Sequence, residues 1–135
     1  MTVSPFEIIS DGLVPLVYIV DPAWMPDQTT FMTPGELPLQ MGMIVYASGS
    51  AIEPHVHLPI MREVHGTTEC IIVREGRCHI DIYSSERTFI ATRELAKGTI
   101  VLLLGGGHGF RMEEDTVLFE VKQGPYAGDA DKARF

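Results

Sequence analysis

Short runs rich in Val, Ile, Leu, Thr, Phe and Tyr recur from about residue 39 onward, each bounded by Gly, Ser, Pro or acidic residues. They predict strands over residues 39–47, 52–57, 69–74, 78–83, 88–95, 99–104 and 116–122. No segment sustains a 3.6-residue apolar period, so helix is limited to a turn within 32–37 or in the tail. Strands at this regular spacing predict an all-β sandwich or barrel. Residues 1–38 differ. A strand is expected at 16–20 and a loop at 21–28, and prolines at 22, 26, 34 and 38 break any long element. Because this stretch carries Phe6, Trp24, Phe31 and Met32, it is expected to be an arm packed on the barrel, residues 39–135, or on a second subunit.

Alternation assigns faces within residues 69–83. With Glu75-Gly76 as a hairpin turn, Val73 opposes Cys78, Ile71 opposes Ile80 and Glu69 opposes Ile82, and all six share one face. Cys70 falls on the other face, so the two cysteines read as separate small hydrophobes rather than a redox pair. Glu69 then stands on an otherwise apolar inner face, where a carboxylate is costly without a metal or a paired cation. His79 points away from that face.

The chain's 135 residues suit one domain without a linker. Ten Lys+Arg against eighteen Asp+Glu give a formal charge of −8, which argues against nucleic acid and against an anionic membrane surface. Two cysteines exclude a disulfide scaffold. No apolar run approaches the roughly 20 residues of a membrane span. Residues 1–5 do not read as a secretory leader, so a cytoplasmic location is expected.

Candidate chemistry centres on His55-Val56-His57. In a strand, residues i and i+2 project to the same side, and two imidazoles entering one cavity make ready metal ligands. By itself this spacing is weak evidence. Its surroundings add to it. Gly49 precedes His55 by six residues, Glu69 precedes Gly76 by seven, and Gly98, Gly105-Gly106-Gly107 and His108 follow.

This layout resembles the two motifs of the cupin family over about residues 40–122. The first motif maps onto Gly49, His55, His57, Glu69 and Gly76, and the second onto Gly98, the triple glycine and His108. Two departures stand out: eleven residues separate His57 from Glu69, and the proline of the second motif is missing. Glu63 lies nearer the usual spacing, but Glu69 is preferred because it starts a β run at the right distance from Gly76. The resemblance implies a jelly-roll (double-stranded β-helix) barrel. It also implies one divalent metal ion (Fe, Mn, Ni, Zn or Cu) held by His55, His57, Glu69 and His108.

Candidates for contacting substrate are Tyr46, Glu63, His65, Arg111 and Gln123; Arg62 and Glu63 form either a cavity lip or a surface ion pair. No catalytic residue is assigned. The expected function is a small metalloenzyme acting on a polar metabolite, in keeping with similar small cupins linked to nucleotide-sugar or surface-polysaccharide pathways. The alternatives are a non-catalytic small-molecule or sugar-binding module, and a metal-free sugar epimerase or isomerase with a histidine base. A small-molecule ligand and a homodimer are the expected partners, the dimer through an open edge or the apolar arm.

Overall fold

A computed structural model describes residues 4–135. The reading of residues 1–5 and the arm both extend over residues 1–3, which lie outside the described part. The chain divides into two compact units, residues up to Trp24 with Gly66–Phe135, and Met25–His65.

The first unit is a β-sandwich. Its strands are β1 (Phe6–Asp11) and β2 (Val14–Val20), and, in the second unit, β3 (Thr30–Phe31) and β4 (Gly42–Met43) intervene in chain order. The sandwich continues with β5 (Glu69–Glu75), β6 (Cys78–Tyr83), β7 (Phe89–Leu95), β8 (Ile100–Leu103), β9 (Gly107–Met112) and β10 (Val117–Lys122). One sheet has five strands in the order β1-β2-β8-β5-β10 and the other three in the order β7-β6-β9. All pairings are antiparallel. Alternation sends Ile71 and Val73 of β5, Val101 and Leu103 of β8 and Val17 of β2 inward from the first sheet. Cys78, Ile80 and Ile82 of β6 and Leu95 of β7 meet them from the second, in one buried cluster.

The all-β expectation holds, and neither sheet closes into a barrel. The hairpin expected at Glu75-Gly76 is corrected. β5 pairs with β8 and β10, whereas β6 pairs with β7 and β9, so the connection is an arch between sheets. Gly76 sits at φ +87°, where a Cβ would collide with the Asp115 carbonyl. The Arg77 carbonyl accepts from the Glu113 amide at 2.9 Å and from the Thr116 hydroxyl at 3.1 Å. The arch is thus fastened to the β9–β10 connection, which crosses between the same two sheets. The predicted faces survive: Glu69, Ile71, Val73, Cys78, Ile80 and Ile82 are all buried. Both cysteines are free, Cys78 buried and Cys70 half-buried, and burial raises both thiols above their ordinary pKa.

Residues 6–20 form two integral strands of the larger sheet, with Phe6 stacked on Tyr18 and beside Trp24. The segment predicted as strand 39–47 is regular only at Gly42–Met43, and residues 52–57 form no strand. In the second unit β3 and β4 pair, and Gln40 Nε2 donates to the carbonyls of Pro34 and Leu37. From residue 44 to 66 every residue is exposed and none is in a strand. Pro54 and Pro59 lack the N–H a ladder needs, and a strand without a paired neighbour has no hydrogen bonds to hold it extended. The tail supplies one 3-10 turn, Gly128–Asp131. Among the described residues no helix is long and apolar enough to cross a membrane.

Candidate functional site

The polar cluster of the sandwich lies where β5, β10 and β9 end. Register sets Lys122 beside Glu69 and Glu120 beside Ile71, so Glu69, Glu120 and Lys122 share the inward face with Leu118. From the opposite sheet, His108 is paired with Ile82 and shares its inward side, next to Phe110. The Nε2 of His108 lies 3.2 Å from Oε2 of Glu69. Lys122 Nζ stands 3.9 Å from the other Glu69 oxygen and 3.8 Å from Glu120. Glu69 is only 8% exposed, and its buried Oε2 has no hydrogen bond among the described residues. A buried carboxylate oxygen in that state is costly and open to a donor from outside.

Electrostatics push the pair toward its neutral forms. Burial raises the Glu69 pKa above its ordinary value, and the adjacent Glu120 raises it further, with Lys122 opposing. Burial lowers the His108 pKa, while Glu120 acts in the opposite direction and Lys132 in the same one. Glu120 therefore biases both groups toward protonation. Replacing it by Gln is expected to lower both midpoints, read from the Glu69 carboxyl carbon and the His108 ring shifts in a pH titration. Midpoints that stay in place would show that Glu120 does not sense the pair.

The metal centre is corrected. Among the described residues no group of three or more His, Cys, Asp or Glu side chains is placed to hold a metal ion. Glu69 and His108 come together as one pair, but His55 and His57 do not take up the strand geometry that their spacing requires. They sit on the irregular exposed segment of the second unit, their rings 5.3 Å apart and crossed at 68°, with His55 Nδ1 turned 2.8 Å from the Glu53 carbonyl oxygen. A metalloenzyme reading and a divalent cofactor therefore lose their ligand set.

The other candidates scatter. Glu63 and His65 pair with each other at 3.2 Å on the surface of the second unit, where Tyr46 and Arg62 are also exposed. Arg111 lies on the outer side of the three-stranded sheet. It grips Asp81 with two hydrogen bonds of 2.8 and 2.9 Å and donates to Thr92, which holds the Asp81 carboxyl down at about 2. His79 is on that side too, 2.7 Å from Glu113, as its parity predicts. Gln123 borders the cluster, and its side-chain oxygen accepts from the Thr68 amide next to Glu69. Glu120 and Lys122 went unread in the sequence. Their signal is Leu118-Phe119-Glu120-Val121-Lys122, where two charges share the parity of an inward leucine. A cleft of about 280 Å³ opens elsewhere, beside Phe6, Ile19 and Thr99. Its carboxylates Glu7, Glu94 and Asp21 are already engaged by Arg93, Arg77 and the Ala23 amide.

Comparison with protein-family models, curated proteins and solved structures finds no match for this chain.

Proposed function

We propose that this chain is a metal-free acid–base module of cupin-like, open jelly-roll type. In this reading Glu69 and His108 handle a proton on a small, hydroxylated carbonyl compound such as a sugar. The observation that carries the reading is the buried, hydrogen-bond-free Oε2 of Glu69 facing the His108 ring at 3.2 Å. Burial favours the protonated form of the carboxyl and the free-base form of the imidazole, the two forms that a general acid and a general base need. Neutral His108 Nε2 takes a proton from the carbon beside the carbonyl, and the Glu69 O–H gives its proton to the carbonyl oxygen, forming an enol. His108 then gives its proton back to the same carbon from the other face while the Glu69 carboxylate retakes the enol O–H proton, an epimerisation. Alternatively, His108 gives it to the former carbonyl carbon while Glu69 takes the proton of the neighbouring hydroxyl, an isomerisation. Lys122 supplies a positive charge beside the carboxylate that the first step leaves behind.

The test is wash-in of solvent deuterium, followed by proton NMR over a panel of aldoses and ketoses in D₂O. Exchange at the carbon beside the carbonyl is expected to persist in excess EDTA and to be lost in Glu69→Gln. Exchange abolished by EDTA, exchange retained in Glu69→Gln, or no exchange across the panel would each reject the reading.

A further inference from the structure

The Oε2 of Glu69 is buried, so a substrate can meet it only when something over it moves aside. Within the first unit, the neighbouring stretch that no strand ladder holds is the tail, residues 123–135, whose one regular element is the 3-10 turn Gly128–Asp131. This tail is nevertheless tied down at two points, one on each side of the acid–base pair. The Asp131 carboxylate accepts from the Thr67 hydroxyl at 3.2 Å, two residues before Glu69. Phe135 stands edge-on to Tyr83 with ring centres 5.0 Å apart, and the Arg87 guanidinium lies 5.3 Å over its ring. The same ring is seated on Gly107, where a Cβ would come within 2.9 Å of it, and Gly107 directly precedes His108. The tail therefore passes from the start of β5 to the start of β9, the two strand ends that carry Glu69 and His108.

Lys132 lies between the two ties. Its charge lowers the pKa of both Glu69 and His108, so it stands near both groups. The other charges around it are matched. Lys122 lies between Glu69 and Glu120, Arg134 holds Asp129 at 3.2 Å, and Asp131 is met by Thr67, whereas Lys132 enters no ion pair within its unit. A cation held beside a reaction site without a counter-charge of its own attracts an anion.

We propose that the tail is a strap across the mouth of the Glu69–His108 site, and that its Lys132 binds an anionic group, phosphate or carboxylate, carried by the sugar. The proposal rests on the acid–base reading of that site and narrows its substrates to acidic sugars. The strap loosens to admit the sugar and settles back with Lys132 on the anion. One hydrogen bond and one ring seat hold it to the sandwich, so opening costs little. A neutral sugar lacks the group that draws the strap back.

The test is titration with glucose 6-phosphate, glucuronate and glucose, read from the His108 ring shifts; the first two compounds separate phosphate from carboxylate recognition. At least one of the two acidic sugars is expected to bind roughly 10–100-fold more tightly than glucose, the weight of one charge-assisted hydrogen bond. Lys132→Gln should reduce that affinity to the glucose value, and Lys132→Arg should restore most of it. Lys97→Gln removes a charge bound to Glu75 at the opposite end of β5 and should leave all three affinities unchanged. Trypsin cleavage after Lys132 should slow with the acidic sugar bound and stay unchanged with glucose. Glucose bound as tightly as its acidic forms, no binding by any of the three, affinities indifferent to Lys132→Gln, an equal loss in Lys97→Gln, or cleavage unaltered by the acidic sugar would each overturn the proposal. The expected binding pattern without deuterium exchange would support the anion site and reject the acid–base reading alone.

Discussion

Ile80→Ala is expected to cost about 2–5 kcal/mol of folding stability, measured by urea unfolding. Ile80 is fully buried in β6, the middle strand of the three-stranded sheet, paired with Arg93 on one side and Phe110 on the other. Its side chain meets the shared cluster that Ile71, Val73 and Val101 supply from the facing sheet. Truncation loses apolar burial and leaves a cavity. The cavity cannot collapse, because the backbones around it are held in ladders on both sides. For a domain whose whole stability is about 5–15 kcal/mol, the loss moves the unfolding midpoint far toward zero denaturant. Leu13→Ala is the control. Leu13 is fully exposed in the β1–β2 turn, so its truncation is expected to change stability by less than about 0.5 kcal/mol. Equal losses at the two positions would contradict the placement of the core.

His108→Gln is expected to lower proton exchange by roughly 10²–10⁴-fold, the usual contribution of a positioned acid or base. Gln keeps the polarity and approximate size of the side chain but accepts no proton, so binding is expected to change much less than turnover. The pH profile separates chemistry from structure. The wild-type acid limb reports His108 losing its proton, with a midpoint below the ordinary 6.5 because burial disfavours the cation. The alkaline limb reports Glu69 losing its proton, with a midpoint above the ordinary 4.5. In His108→Gln the acid limb should vanish while the alkaline limb stays. A variant that retains both limbs would remove His108 from the proton path.

The same two residues show how far the sequence reaches. Alternation is a local property, so the inward parity of Glu69, Ile71, Val73, Cys78, Ile80 and Ile82 was legible without knowing any neighbour. Pairing is not local. A Gly at the end of a β run suits a hairpin and an arch equally, and what selects the arch is the contact of Gly76 and Arg77 with residues 113–116, about forty positions away. β9 was missed because Gly107 and Gly109 carry no β-forming side chain; its pairing with β6 holds it extended. The His55–His57 spacing failed for the opposite reason. The sequence supplies the right residues two apart, but no paired neighbour makes the segment a strand. Of the four proposed ligands, Glu69 and His108 lie in strands and meet across the sandwich, whereas His55 and His57 lie on an irregular segment.

The strand order carries a consequence for how the chain reaches this state. Of the pairings in the described residues, β1–β2, β3–β4 and β6–β7 join neighbours along the chain, whereas β2–β8, β5–β8, β5–β10 and β6–β9 all close long loops. Entropy is spent on those loops before any contact repays it, so assembly belongs to the slow regime of milliseconds to seconds, with the local hairpins forming first. While β8 is still being synthesised, β2 has no inner neighbour and β5 has none on either side. On the ribosome, β2 must therefore wait with one edge bare until β8 has emerged, and β5 until β8 and β10 have.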